Sequence, residues 1–454
     1  MREAHGATAL AGKAGYTLGC LLAALVMVVS GFGYYVKNSV ASIGGSNAIT
    51  GSPSTGAMNI LLMGLESRTY WSGQPLPHSL TNAMHIGSAG GQATNTLILL
   101  HIFAGGRKAV GFSIPRDDWV TFPQAYDGQR QGKIDQAYGF ALAAKEASLA
   151  GQGLTRGQIG WLGNEAGRKA EIATVQALTG VKIDHFAELN LLGFYELAGV
   201  FGGMTVCLNS VNGGTNLSDA NSGFHAVADG YDVAKGGSQY LHLNAAQSLA
   251  FVRERDNLPN GDLDRTHRQQ AVLDYVLWKL KNQGAFTDLS QLGALISVAR
   301  QYLVTDSDWN LLDFLPQFET LKGSNLTFKT LPIVRYAAID GQDANVVDTT
   351  RIRQEVRGAF YPAAHQAAAP ARTEKRAAAT PDSTARSTGK ALNTNNSASG
   401  GVAAAAATAR PGTGTPAPSP SQAAGTLTAS ASTGPAGGVL TVGPNAPYGI
   451  PCVN

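Results

Sequence analysis

Four arginines stand within residues 251–270 (FVRERDNLPNGDLDRTHRQQ): Arg253, Arg255, Arg265 and Arg268, the last followed by Gln269 and Gln270. A fifth, Arg116, lies far upstream in the stretch GFSIPRDDW, residues 111–119. A guanidinium stays charged at any working pH and grips phosphate oxygens through a planar fork. Gathered at loop positions, such residues suit a polyphosphate ligand. Each also has a bland reading. Arg116 beside Asp117 would make an ordinary surface ion pair at a turn, and a solvated helix face would account for Arg268. Arg253 and Arg255 share a direction only if their stretch is extended. Arg265 and Arg268 are i, i+3 on an expected helix, with Asp262 preceding it and Asp264 at its expected N-cap. A helix N-terminus adds backbone N–H groups that favour an anion. The combination carries the signal.

The elements that must position these residues can be read from periodicity. Residues 58–63 (MNILLM), 96–103 and 109–114 are short apolar runs of strand character, the last two joined by the turn Ala104-Gly105-Gly106. Residues 165–178 have helical spacing and stop at Gly180, a natural C′ residue. A strand is expected over 181–188, a helix over 190–201, a strand over 204–208, and helices over 244–252 and 265–281. Strands alternating with helices imply an α/β fold, a layered α/β/α sandwich around a central mixed sheet, with functional loops at strand ends.

Hydrophobic residues make up 44% of the 454 and charged residues only 14%, enough apolar material for one large core. A formal charge of +3, with no basic stripe interleaved with aromatics, argues against nucleic acid as a partner. Residues 15–36 (GYTLGCLLAALVMVVSGFGYYV) carry no charge, about the ~20 positions a bilayer-spanning helix needs. Tyr16, Tyr34 and Tyr35 stand where aromatic belts form. The competing reading is a signal peptide cleaved near Ser39-Val40-Ala41, but the apolar run is longer than a usual signal core, so an uncleaved single-pass anchor is expected. That divides the chain into a cytoplasmic N-terminus (1–14), an anchor (15–36), a Gly/Ser/Thr-rich linker (37–56), a folded domain (57–362) and a tail (363–454). Rich in Ala, Ser, Thr, Pro and Gly, the tail is expected to be disordered. Cys207 and Cys452 fall outside the anchor. In an oxidising compartment they either pair or stand as one buried and one tail thiol, and both readings stay open.

The order of several blocks resembles the LytR-CpsA-Psr family, extracytoplasmic enzymes that attach polymers to bacterial peptidoglycan. The blocks are ILLMG (60–64), TLILL (96–100), SIPRD (113–117), KI with AY (133–138), LTG with IDH (178–185), Gly202-Gly203, and VRER with Gly261-Asp262 and Arg265…Arg268-Gln269-Gln270. The likeness covers residues 58–280, and the Ala- and Gly-rich composition hints at an actinobacterial type.

The resemblance implies a phosphotransferase that takes a glycopolymer, with its linking phosphate, from a polyprenyl diphosphate carrier to a peptidoglycan hydroxyl at the outer face of the cell membrane. It implies that Arg116, Lys133, Arg253, Arg255, Arg265 and Gln269 hold the pyrophosphate, and that Mg²⁺ (or Mn²⁺) bridges its oxygens. The isoprenoid would fill an apolar tunnel with the helix 191–201 as one wall. Catalysis would be charge stabilisation with little covalent work. Asp117 is the choice for accepting the acceptor's proton, orienting Arg116 is its competing role, and Asp256 and Asp262 stand in reserve. The family's two aspartate metal ligands are here Glu66 and Asn95, and Ala93 replaces a frequent arginine. An amide oxygen in place of a carboxylate should weaken the metal site. That departure keeps two further readings in play: a non-catalytic polyprenyl-phosphate-binding protein, and a pyrophosphatase acting on the same carrier. The stretch 67–92 is longer than the usual connection, and its His78 and His85 are read as surface-loop residues, a compensating metal ligand being the competing role.

Overall fold

The computed structural model describes residues 38, 43–49, 56–87, 91–209, 218–219, 224–225, 238–255, 258–282, 288–311, 326–362 and 450–454. The expected anchor at residues 15–36 and most of the expected tail lie outside them. Among the described residues no helix is long and apolar enough to cross a membrane.

In chain order the elements are β1 (Gly44–Ser46), β2 (Met58–Glu66), α1 (His78–Ala83), β3 (Ala93–Ile102), β4 (Ala109–Ser113), β5 (Asp118–Tyr126), β6 (Gln129–Lys133), α2 (Gln136–Leu149) and α3 (Arg156–Thr179). They continue with β7 (His185–Asn190), α4 (Leu191–Val200), β8 (Met204–Asn209), β9 (Ser218–Asp219), β10 (Phe224–His225), β11 (Ser238–Leu243), α5 (Ala245–Arg253), α6 (Asp262–Asn282) and α7 (Leu289–Tyr302). Last come β12 (Leu303–Asp306), β13 (Leu326–Thr330), β14 (Arg335–Ile339), β15 (Gln342–Val346), α8 (Thr349–Phe360) and β16 (Cys452–Val453).

Seven strands form a central sheet in the order β1-β12-β7-β2-β3-β4-β13. It is mixed: β2 runs parallel to β7 and antiparallel to β3, and β4 runs parallel to β13. Because successive strand residues face opposite ways, its two faces build different things. Leu61, Met63, Leu97, Leu99 and Phe112 point into a core closed by Ala137 and Ala141 of α2, Val175 and Leu178 of α3, and Ile352, Val356 and Phe360 of α8. Leu62, Ile98, Ala187 and Leu189 face the other way, toward α4, α5 and α6.

Local chemistry sets the helix ends. Thr155 and Gln158 form a reciprocal capping box at the start of α3, and Gly180 ends it at φ 72°, where a side chain would be strained. Asn190 caps α4 by accepting from the Gly193 amide at 2.8 Å. Asn244 and Gln247 form a second capping box on α5.

Three expectations need correction. The linker 37–56 contributes β1, an edge strand paired parallel to β12. The tail does not stay outside the fold: Ile450–Asn454 return to it, where β16 pairs parallel to β8 and Cys207 is disulfide-bonded to Cys452. Closing a span of 245 residues removes roughly 5 kcal/mol of unfolded-chain entropy on the loop-closure model. The strand expected from residue 181 begins at His185, because the Asp184 carboxylate turns aside to take the Asn59 amide at 2.9 Å.

His101, on β3, is buried, stacks on Phe360 at 4.6 Å and contacts Asn59 Oδ1 through Nδ1 at 2.7 Å. Burial, opposed by the Asp184 charge, pushes its pKa from 6.5 down to about 4. The unfolded chain therefore binds the extra proton first as pH falls. Stability should drop between about 6.5 and about 4, with a slope of at most about 1.4 kcal/mol per pH unit from this residue. Denaturation midpoints across that window should fall less steeply in His101→Gln; an identical pH profile would remove His101 from the account.

Candidate functional site

The cavity-facing side of the sheet changes character along each strand. On β2 the positions 62, 64 and 66 share one face, running from leucine through glycine to glutamate at the strand end. A Cβ on Gly64 would come within 2.9 Å of the Thr96 side chain, so glycine is needed at this bulge of the β2–β3 pairing. The result is a cavity of ≈ 450 Å³ between sheet and helices. Its deep part is apolar: Leu62, Ile98, Ala187 and Leu189 below, with Phe194 and Leu197 of α4, Leu249 and Val252 of α5, and Val272 and Val276 of α6 above. Were such a volume a sealed void it would cost on the order of 10 kcal/mol, comparable with a whole domain's stability. A volume of that size and lining suits an apolar ligand.

At the strand ends the lining turns polar, with Glu66, Asn95, Arg116, Arg253, Arg255, Arg265 and Gln269. Residues up to 203 positions apart in sequence thus share one mouth. Arg116 leaves β4 and donates from Nη1 to Asn95 Oδ1 at 2.8 Å and from Nε to Asp262 Oδ1 at 3.2 Å. Asp262 also pairs with Arg265, one helical turn on. Asn95 in turn donates through Nδ2 to Glu66 Oε2, and Glu66 Oε1 meets Arg68 Nη2 at 2.7 Å. The polar end is therefore one connected chain: Arg68, Glu66, Asn95, Arg116, Asp262, Arg265.

Its electrostatics follow from burial and crowding. Burial alone would weaken the Arg116 cation, but Asp262, Asp117, Asp135 and Glu66 outweigh it and hold the pKa above its ordinary value. Arg265 goes the other way: burial, with Arg116 and Arg255 adding repulsion and Asp262 and Asp117 opposing, pushes it down to about 10. Arg265 Nε is buried without a hydrogen-bond partner, as is Arg68 Nη1. A buried donor left open costs about 1–3 kcal/mol, and an anion in the mouth would recover it. Burial raises the Glu66 carboxyl, yet Arg68, Arg253 and Arg116 outweigh that and keep its pKa low.

The remaining expected residues sort differently. Lys133 does not line the cavity; it pairs with Asp117 at 2.8 Å, and Asp117 faces Arg116 at 3.6 Å. Both are held by the small sheet β14-β15-β5-β6, where Trp119 pairs with Lys133. Gln269 lines the mouth and donates to the Val252 carbonyl at 3.3 Å. Asp256 lies outside the described residues. Helix α6 starts at Asp262, so Asp264 sits inside its first turn, accepting from the Asn260 amide at 3.0 Å. Arg268 is not on a solvated face: it is fully buried, pairs with Glu254 at 2.6 Å and lies over the Phe251 ring. The apolar neighbours at 271 and 272 carried the signal that this stretch of α6 is enclosed.

Sequence reading missed Arg68 and Asp135. Asp135 is buried behind Arg116 with Oδ1 unpartnered, and burial, opposed by Arg116 and reinforced by Asp117, pushes its pKa up to about 7. The position of Arg68, two residues past Glu66 at a strand end, was the available clue. The long stretch 67–87 packs Leu76, Met84 and Ile86 against Leu192 and Leu249. Its backbone holds two arginines: His85 O accepts from Arg253 Nη1 at 3.3 Å and Gly87 O from Arg68 Nε at 2.8 Å. The His78 and His85 side chains are exposed, and no group of three His, Cys, Asp or Glu able to hold a metal occurs among the described residues.

The chain is 31% identical over 356 residues to the cell wall biosynthesis protein LcpA of Corynebacterium glutamicum, covering 75% of this chain and 64% of that protein. It is 25% identical over 244 residues to the polyisoprenyl-teichoic acid–peptidoglycan teichoic acid transferase TagU of Bacillus mycoides, covering 54% and 64%. The chain thus spans just under two thirds of the length of each of these relatives. Among solved structures, protein gbs0355 of Streptococcus agalactiae aligns at TM-score 0.48 with 20% identity, over 67% of this chain and 88% of that one. B. subtilis TagT aligns at 0.42 with 17% identity, over 70% and 96%. The model of the LytR_cpsA_psr family matches residues 27–357, nearly all of the folded domain, and the chain belongs to that family.

Proposed function

We propose that this protein is a membrane-anchored, extracytoplasmic phosphotransferase. It would move a glycopolymer, with its linking phosphate, from a polyprenyl diphosphate carrier to a peptidoglycan hydroxyl. One observation carries the reading: Arg116, Arg253, Arg255 and Arg265 meet at the polar mouth of a cavity whose depth is apolar. A diphosphate with an oily tail matches both halves at once. The relatives' names, which include a polyisoprenyl-teichoic acid–peptidoglycan transferase, support it.

In this reading the arginines hold the diphosphate and stabilise charge as it shifts toward the leaving group. The acceptor oxygen bonds to the phosphorus bearing the glycopolymer, the bond from that phosphorus to the bridging oxygen breaks, and polyprenyl monophosphate departs. The hydroxyl proton passes to Asp117, which Lys133 and Arg116 keep in place. The apolar walls fix the tail and so align the diphosphate.

Glu66 and Asn95 would hold Mg²⁺ or Mn²⁺. One carboxylate and one amide oxygen would make a partial set of the oxygen ligands that magnesium takes, with phosphate oxygens and water supplying the rest. When bound, the ion adds neutralising charge on the diphosphate. Asn95 has a second consequence: its amide lets residues 66 and 95 bond directly, where two carboxylates would repel without a cation. A binding-only role draws its support from that same amide.

Purified protein with geranylgeranyl diphosphate, Mg²⁺ and a muramyl glycan acceptor should release monophosphate only when the acceptor is present. Release without acceptor would favour a pyrophosphatase, and none under any condition would favour a binding protein. Arg116→Ala should lower kcat by about 10²–10³-fold; a variant keeping most of its turnover would refute the phosphate role. Asn95→Asp should tighten Mg²⁺ and make turnover depend on it more steeply. A Mg²⁺ titration superimposable on the wild type would remove residue 95 from the metal site.

A further inference from the structure

The arginines of the mouth come from two apolar clusters of one compact unit, bridged by Arg116 Nε to Asp262 Oδ1 at 3.2 Å and by Gln270 Nε2 to Ser113 Oγ at 2.6 Å. Arg116 follows β4, whose residues Val110 and Phe112 belong to the main core under α2, α3 and α8. Arg253 and Arg265 come from α5 and α6, which pack into a second cluster with Leu208 of β8 and Leu241 and Leu243 of β11. That second cluster is completed from the far end of the chain. Ile450 and Val453 are buried in it, and β16 joins its three-stranded sheet at the edge. The Cys207–Cys452 disulfide makes the join covalent.

Arg268 is where this end of the chain meets the site. It sits on α6 between Arg265 and Gln269, yet faces away from the mouth. Its Nη1 pairs with Glu254 at 2.6 Å, in the segment between Arg253 and Arg255, and its Nε donates to the Asn454 carbonyl at 2.6 Å. Asn454 also donates to Asp264 Oδ2 at 3.5 Å, one residue before Arg265. One buried guanidinium thus ties together both arginine-bearing segments and the returning strand.

We infer that Arg268 and the segment Ile450–Asn454 are positioning elements that set the arginines of the second cluster against Arg116, and thereby the affinity of the mouth for a diphosphate. The inference rests on the reading of that mouth as a diphosphate site. Regions of one fold that rest on different apolar clusters open at different free energies. Releasing the strand should therefore loosen α5 and α6 and leave the seven-stranded sheet closed. A shift of about 1 Å in a phosphate-holding group is enough for a large loss.

The test uses the full chain, its Cys452→Ser variant, a deletion of residues 450–454 and Arg268→Lys. Binding of geranylgeranyl diphosphate is measured by calorimetry and amide hydrogen exchange by mass spectrometry. The expected result for Cys452→Ser and the deletion is about tenfold weaker binding, with faster exchange confined to β8, β11, α5 and α6. Arg268→Lys, which keeps charge but loses the fork, should fall between wild type and deletion. Unchanged binding overturns the inference. So does faster exchange spread evenly through β2, β3 and β4, the mark of a merely stabilising contact. Should a variant fail to fold, reducing the wild-type disulfide with dithiothreitol and reoxidising it gives the same comparison reversibly. Wild-type protein that binds no diphosphate would instead sink the proposed function, and the exchange pattern alone would then decide the role of the strand.

Discussion

Several guanidinium groups cannot share a buried mouth without counter-charges, an anion, or both. Two like charges about 4 Å apart repel by about 4 kcal/mol at an effective dielectric of about 20. Asp262 takes two of the arginines, Asn95 a third contact, and Glu66 the charge of Arg68. The compensation is incomplete by design of the geometry: Arg265 is pushed toward a weaker cation and keeps a donor unpartnered. In the proposed function, an incoming diphosphate would relieve both at once.

The period-two alternation of a sheet turns that mouth into the entrance of something larger. One face of β2 and β3 supplies most of the main core and the other the floor of the cavity. The polar groups cluster at the strand ends because there the chain leaves the ladder and side chains are free to converge. Placement of the roof is a separate matter. Helices α5 and α6 pack against β8, β11 and β16, and α6 is also tied to the central sheet, where Gln270 Nε2 donates to Ser113 Oγ at 2.6 Å.

Taken alone, the sequence was enough to establish an α/β domain, its principal strands, the helix stop at Gly180 and the arginine set, because these depend on period, composition and residue type. The family resemblance, not period or composition, singled out Glu66 and Asn95 as standing where that family's two aspartates are expected. Only the tertiary structure decided which arginines face the mouth. Arg265 and Arg268 are three residues apart on one helix, equally basic in sequence, yet one lines the cavity and the other is sealed beneath it by Glu254 and Asn454. The same holds for Lys133, drawn off by Asp117, and for Cys452, whose low-complexity surroundings give no sign of a strand. Partners that meet only once the chain is packed leave no local pattern, whether 16 residues apart like Asp117 and Lys133 or 245 apart like Cys207 and Cys452.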